Sequence, residues 1–317
     1  MVNASPLRLV FFGTPEFAVP TLAALRHSRH AVVGVVTRPD RARGRGQRIS
    51  ETPVKERAVA AGIPVLQPER LNAPEFLAAL KDLAADLGVV AAYGKLLSET
   101  ILALPRLGLI NVHASLLPRY RGAAPVHRAI IEGDPETGVT IMRMVKALDA
   151  GPMLATARRV IDPNETSEDL ERALSTLGAP LLAETVDALS AGPVPEVPQD
   201  DSAATYAHRI TREDGITDWT RPAGAVHNLI RGLHPWPHAF TFHRGQRLIL
   251  LRSEKTPGIV SVPGTIVEAS GDRLHVAAGT GVVAITELQA ESRRPMTARE
   301  FLAGHRMAPG DLLTKEP

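Results

Sequence analysis

The chain has 317 residues, of which 44% are hydrophobic and 22% charged, and its formal net charge is +2. This length predicts two domains, and this composition is typical of a folded globular protein. The absence of cysteine excludes disulfides, thiolate nucleophiles and cysteine-ligated metal centres. No apolar run approaches the roughly 20 residues that span a bilayer, and no signal-peptide pattern opens the chain, so we expect a cytoplasmic protein without membrane contact.

The first half of the chain alternates short apolar runs with amphipathic stretches. Strands are predicted at residues 9–12, 32–36, 89–93, 109–112 and 139–144, and helices at 16–26, 54–61, 74–83 and, with Thr166 as its cap, 166–189. Strands that alternate with helices are typical of an α/β fold with a doubly wound, Rossmann-like parallel sheet.

A proline-rich segment separates this region from a different pattern. Prolines at alternate positions near residue 195 favour an extended chain, so we interpret residues 191–205 as a linker. Beyond it, the strands predicted at 240–242, 248–252, 264–268, 274–277 and 282–288 accompany helices at 223–230 and 297–302. These elements predict a small OB-like β-barrel. The expected division is a catalytic domain over 1–190, a linker over 191–205 and a C-terminal domain over 206–317.

Two polar side chains lie at the end of the apolar strand at 109–112. Asn111 and His113 are two residues apart, so on a strand their side chains share one face. Ligands bind at the carboxyl ends of the strands in open α/β sheets. An amide donor beside an imidazole is suited to acyl transfer, which needs hydrogen bonds to a developing oxyanion and a group that titrates near neutral pH. The alternative is a structural pair at a strand end.

A third polar group, Asp149, follows the predicted strand at 139–144. A carboxylate near an imidazole stabilises the imidazolium form. The spacing alone leaves open whether Asp149 has this role or is only a residue of a Gly-Pro turn.

The strongest charge cluster extends from Arg38 to Arg48, where eleven residues include five arginines and one aspartate. Such a cluster is suited to contact with a polyanion, and the alternative is an ordinary solvated surface. From residue 208 to the C-terminus the chain has 14 Lys and Arg against 11 Asp and Glu, a difference of +3.

These motifs together resemble the folate-dependent formyltransferases. The stretch Asn-Val-His-Ala-Ser-Leu-Leu-Pro at 111–118 and Leu-Asp-Ala-Gly at 148–151 mark the superfamily. Supporting stretches lie at residues 12–18, 37–41, 91–94 and 234–237, and the resemblance covers residues 7–313. Two departures concern local loops only: Pro152 replaces a frequent acid, and His234 replaces a frequent asparagine.

The resemblance implies a substrate pair and residue roles. Members with the arginine-rich insert and the C-terminal domain transfer the formyl group of 10-formyltetrahydrofolate to methionine on initiator tRNA. By this resemblance, Asn111 and protonated His113 stabilise the oxyanion, Asp149 keeps His113 charged, and Arg45 contacts the tRNA acceptor stem. The pterin of the folate lies against the turn formed by Ser115, Leu116, Leu117 and Pro118. The resemblance further implies a monomer, a C-terminal domain that supplies phosphate contacts to the tRNA, and chemistry without a metal.

Two alternatives use the same residues differently. A formyltransferase that acts on a ribonucleotide amine would normally end near residue 200, and one that acts on an amino sugar more often carries a different partner domain. A non-catalytic tRNA-binding protein would have lost Asn111, His113 or Asp149, and all three are present.

Overall fold

The computed structural model describes residues 5–43, 48–258 and 261–317. It separates into two compact units that are not continuous in sequence. The first comprises Met1–Pro125, Thr137–Arg159 and Glu171–Ala207, and the second comprises Val126–Glu136, Val160–Leu170 and His208–Pro317.

The first 207 residues carry a seven-stranded sheet with helices between its strands. The strands in chain order are β1 Arg8–Gly13, β2 Ala31–Val36, β3 Arg41–Arg43, β4 Arg48–Ser50, β5 Val65–Leu66, β6 Leu87–Ala91, β7 Leu109–His113, β8 Arg121–Gly122, β9 Glu136–Arg143, β10 Met153–Val160 and β11 Tyr206–Ala207. The large sheet has the order β10-β9-β7-β6-β1-β2-β5, while β3 pairs with β4 and β8 with β11. The predicted α/β sheet is thereby confirmed.

Strand direction determines which residues meet at one edge. β7, β6, β1, β2 and β5 are mutually parallel, so their carboxyl ends lie on the same side of the sheet. β9 runs antiparallel to β7, a feature that the hydrophobic pattern does not encode. β1 is a continuous apolar run because both of its faces are covered, and Leu9 and Phe12 are fully buried.

The helices of this region begin at recognisable start signals. They are α1 Val19–His27, α2 Pro53–Ala60, α3 Pro74–Asp82, α4 Glu99–Leu102, α5 Pro125–Glu132 and α6 Ser167–Ala191. The Thr52 hydroxyl caps α2 by accepting a hydrogen bond from the Lys55 amide, and proline occupies a first-turn position in α1, α2 and α3. The helix predicted at 16–26 consists of a 3-10 turn, Glu16–Ala18, followed by α1.

The second unit contains a curled antiparallel sheet, as the predicted OB-like domain requires. Its elements are α7 Ala223–Gly232, β12 Ala239–His243, β13 Gln246–Thr256, β14 Ile266–Ser270, β15 Arg273–Ala277, β16 Val282–Ala290, β17 Met296–Thr297, α8 Ala298–Gly304 and β18 Leu313–Thr314. The strand order is β14-β15-β16-β13-β12-β18, with β17 beside β16. Thr297 and Glu300 form a reciprocal capping box at the start of α8, which corresponds to the helix predicted at 297–302.

The segment interpreted as a linker has contacts of its own. Residues 191–205 are assigned to the first unit, where Val197 forms an isolated antiparallel bridge with Met153. The Glu196 carboxylate accepts a hydrogen bond from Arg143 Nε at 2.8 Å. These contacts attach the segment to the first unit, and both the linker at 191–205 and the boundary at residue 190 stay predictions. Within the described ranges, no helix is long and apolar enough to cross a membrane.

Candidate active site

Asn111 and His113 lie on the carboxyl-terminal half of β7, in the interior of the sheet. β7 pairs with β6 on one side and with β9 on the other, and His113 is opposite Thr140 of β9. Asn111 is half-buried, whereas His113 is only 5% exposed. Two residues apart on one strand, they share the face expected from the sequence.

The backbone around His113 fixes which ring nitrogen carries a hydrogen. Nε2 of His113 lies 2.9 Å from the carbonyl oxygen of Tyr120, and this oxygen can only accept a hydrogen bond. Nε2 must therefore be protonated and donate. The other ring nitrogen, Nδ1, faces the Asp149 carboxylate and is 3.8 Å from its Oδ2 atom.

Asp149 is held in a strained turn beside this imidazole. Its φ of 47° lies in the left-handed region, which costs a non-glycine residue about 1 kcal/mol. Its Oδ2 atom accepts a hydrogen bond from the Gly122 amide at 2.8 Å. Only 13% of the carboxylate side chain is exposed. The structure thus places Asp149 against His113 although 36 residues separate them in sequence.

The turn at 115–118 lies beside His113 and is anchored from β9. The Thr140 hydroxyl donates to the Ser115 carbonyl oxygen at 2.7 Å and accepts from the Leu117 amide at 3.2 Å. The fully buried Ser115 hydroxyl donates to the carbonyl of Arg119 at 2.6 Å. The Ser115 carbonyl and the Leu117 amide of this turn are thus engaged by Thr140. The assignment of folate contacts to Ser115, Leu116, Leu117 and Pro118 stays a prediction.

The arginine-rich segment is described only in part. Arg45 lies outside the described residues, so its role stays a prediction. The strands on either side, β3 and β4, form an antiparallel pair. At the base of this pair, Asp40 accepts hydrogen bonds from Lys55 and Gln67, and these bonds hold the pKa of Asp40 below its usual value.

The loop after β6 contributes a buried phenol to the same sheet edge. Tyr93 is 2% exposed, and burial raises its pKa to about 12. Its ring meets Phe12 edge to face with centroids 5.6 Å apart. Tyr93 therefore stays protonated at neutral pH.

Sequence reasoning missed several supporting residues. Thr140 anchors the 115–118 turn, and Gln199 donates to the backbone carbonyls of Asp149 and Gly151. Thr140 is recognisable only once the register of β9 against β7 is known. Gln199 lies 50 residues from Asp149, inside the segment interpreted as a linker, and no spacing rule identifies it.

The arrangement can stabilise negative charge on a carbonyl oxygen and transfer a proton nearby. Asn111 supplies an amide donor, His113 supplies a titratable nitrogen, and Asp149 supplies a carboxylate beside it. These candidate groups at one edge of an α/β sheet, together with an antiparallel second domain, are suited to an acyl-transfer enzyme. The chain belongs to the formyl transferase family, whose model matches residues 7–186, and the model of the formyl transferase C-terminal domain matches residues 209–306.

Named relatives cover almost the whole chain. A protein of Geotalea uraniireducens named methionyl-tRNA formyltransferase is 45% identical over 98% of this chain and 99% of its own length. A protein of the same name from Caldanaerobacter subterraneus is 48% identical over 97% of this chain and 100% of its own. Among solved structures, HypX from Aquifex aeolicus in complex with tetrahydrofolic acid superposes with a TM-score of 0.66 at 15% identity. That alignment covers 98% of this chain and 51% of HypX, and it shows a common fold.

Proposed function

We propose that this chain transfers the formyl group of 10-formyltetrahydrofolate to the α-amino group of methionine on initiator tRNA, giving N-formylmethionyl-tRNA. The observation that carries the proposal is 45–48% identity to proteins named methionyl-tRNA formyltransferase over 97–98% of the chain. Similarity at this level includes both domains. Action in the cytoplasm as a monomer stays a prediction from the resemblance.

The site geometry gives a role to each catalytic candidate. The neutral amine attacks the formyl carbon, and negative charge develops on the formyl oxygen. The Asn111 amide donates a hydrogen bond to that oxygen, and the positive charge of the protonated His113 ring stabilises the negative charge that develops there. The new carbon–nitrogen bond forms as the bond to N10 of the folate breaks, and the proton lost by the amine is the one that N10 gains.

Asp149 acts through its charge on Nδ1 of His113. The 3.8 Å between Nδ1 and Oδ2 exceeds a direct hydrogen bond, and a small shift of either side chain would form one. Because Nε2 is committed to the Tyr120 carbonyl, the second proton of an imidazolium must be on Nδ1, facing this carboxylate. Asp149 therefore stabilises the charged ring and provides a route by which a bridging water relays a proton.

The folate and the tRNA are assigned to different parts of the chain. The pterin lies against the turn of Ser115, Leu116, Leu117 and Pro118, beside His113. Arg45 contacts the acceptor stem, since a guanidinium can form a bidentate contact with phosphate or a base edge. The C-terminal domain adds phosphate contacts, which position the tRNA without reading its sequence.

The test is formylation of charged initiator tRNA in single-turnover reactions. Asn111→Ala and His113→Ala should each lower the rate about 100- to 1,000-fold, the usual effect of losing one oxyanion donor. Exposed residues of the same types in the first unit, Asn72 and His27, provide control substitutions to alanine that should leave the rate unchanged. Circular dichroism checks that each variant folds. Near-normal rates for Asn111→Ala and His113→Ala would reject the catalytic assignment.

A further inference from the structure

Gln199 makes three hydrogen bonds that connect the catalytic turn to the buried arginine of β8. Its Nε2 atom donates to the carbonyl oxygens of Asp149, at 2.8 Å, and Gly151, at 2.7 Å. Its Oε1 atom accepts from Nε of Arg121 at 3.0 Å. Carbonyl oxygens only accept and a guanidinium only donates, so the chemistry allows only this orientation of the amide.

Arg121 is itself fixed at both ends of its guanidinium. Its side chain is only 4% exposed, and Nη2 forms an ion pair at 2.7 Å with Asp201, whose side chain is 84% exposed. Arg121 also precedes Gly122, whose amide donates to the Asp149 carboxylate. Asp149 is therefore connected to β8 at two points. Its backbone carbonyl is linked to Arg121 through Gln199, and its carboxylate accepts directly from the Gly122 amide.

This double connection has a consequence for catalysis. Asp149 has a left-handed backbone, which is unfavourable for a non-glycine residue. Hydrogen bonds from the surrounding residues offset this cost and maintain the conformation. A displacement of about 1 Å at a reacting group can lower a rate about 100-fold.

We propose that Gln199 is a positioning residue for the formyl-transfer reaction: it holds the turn at 149–151 so that the Asp149 carboxylate faces Nδ1 of His113. Arg121 in turn fixes the amide of Gln199. The proposal rests on the proposed function, and it makes part of the segment at 191–205 a component of the catalytic site.

The experiment compares Gln199→Ala with Glu196→Ala in the full-length enzyme. Glu196 attaches the same segment to Arg143, and among the described residues its side chain makes no hydrogen bond to the 149–151 turn, so it is a matched control for simple loss of attachment. Gln199→Ala should lower kcat for formylation about 10- to 100-fold, with each KM within threefold of the wild-type value. Glu196→Ala should leave kcat within twofold. An unchanged kcat in Gln199→Ala, or an equal loss in both variants, would overturn the proposal.

A double-mutant cycle with Asp149→Asn separates positioning from general destabilisation. Once the carboxylate is gone, its orientation no longer matters, so Gln199→Ala should lower kcat less than threefold further. The same fold-loss in both backgrounds would show that Gln199 acts independently of Asp149 and would refute the role.

A substrate-free measurement keeps the two proposals distinguishable. The Gly122 amide, which donates to the Asp149 carboxylate, should exchange with solvent deuterium at least tenfold faster in Gln199→Ala than in wild type or Glu196→Ala. This result is independent of which amine is formylated. If wild-type enzyme fails to formylate methionyl-tRNA while the exchange difference is present, the proposed function fails and the positioning role stands; unchanged exchange overturns the positioning role.

Discussion

Substitution of His238 should change how the second unit responds to acid. Its ring is partly buried beside His234, with ring centroids 5.3 Å apart, and Nδ1 is buried without a hydrogen-bond partner among the described residues. Burial, and secondarily the neighbouring His234, lowers the pKa of His238 from 6.5 to about 4. The φ of 68° is one that asparagine tolerates well, so His238→Asn removes the titrating ring and keeps the backbone.

The sign of the effect follows from which state binds the proton more tightly. Between pH 6.5 and 4, His238 binds a proton in the unfolded chain but not in the folded chain. The stability present above pH 6.5 is therefore lost as the pH falls. With these two pKa values, the free energy of unfolding should decrease by about 2 kcal/mol between pH 7.5 and pH 5. This is an upper value because solvent screens a partly exposed ring.

The assay is urea unfolding followed by tryptophan fluorescence at pH 7.5 and pH 5. The only two tryptophans, Trp219 and Trp236, both belong to the second unit, so the signal reports that unit. His238→Asn should retain up to about 2 kcal/mol more stability than wild type on acidification. The exposed His208 provides the control, because His208→Asn should behave like wild type. An equal acid-induced loss in His238→Asn and wild type would refute the reasoning.

Two further predictions concern binding and the catalytic turn. Arg45→Ala should reduce kcat/KM for initiator tRNA more than it weakens folate binding, and equal losses with initiator and elongator tRNA would contradict its proposed role. Gly151→Ala would place a Cβ 1.8 Å from the Arg143 carbonyl oxygen, so the turn must move, and we expect about a 10- to 100-fold loss of kcat in steady-state assays. Gly304→Ala, whose added Cβ meets no atom within 4 Å, is the control and should keep full activity.

The sequence predicts those elements whose pattern is set by burial. The apolar runs in β1 and in the second half of β2 are buried at successive residues, so both faces are covered and each run reads as a continuous hydrophobic segment. β10 lies at the sheet edge, none of its residues is fully buried, and its mixed composition has no clear period. β8 and β11 are two-residue strands whose pairing is long-range, so no local pattern marks them.

The same limit applies to the site. Asn111 and His113 are visible in the sequence because a strand places alternate residues on one face. Their juxtaposition with Asp149 requires the connection through β9, whose direction is a property of the folded sheet. The position of Thr140 depends on strand register, and that of Gln199 on a return of the chain after 50 residues. The resemblance therefore names the candidate reacting groups but not the residues that contact their turns.

The supporting residues stabilise two turns of the site whose backbone conformations are unfavourable. Tyr120 and Asp149, the two residues that contact the His113 ring nitrogens, both have left-handed backbones, with φ of 61° and 47°. Neither is glycine, so each conformation costs about 1 kcal/mol that local preference does not recover. Thr205 accepts from the Tyr120 amide, and Gln199 donates to the Asp149 carbonyl, so the chain after residue 191 stabilises both turns. The two groups that face the His113 ring nitrogens thus belong to turns that hydrogen bonds with Gln199 and Thr205 hold in place.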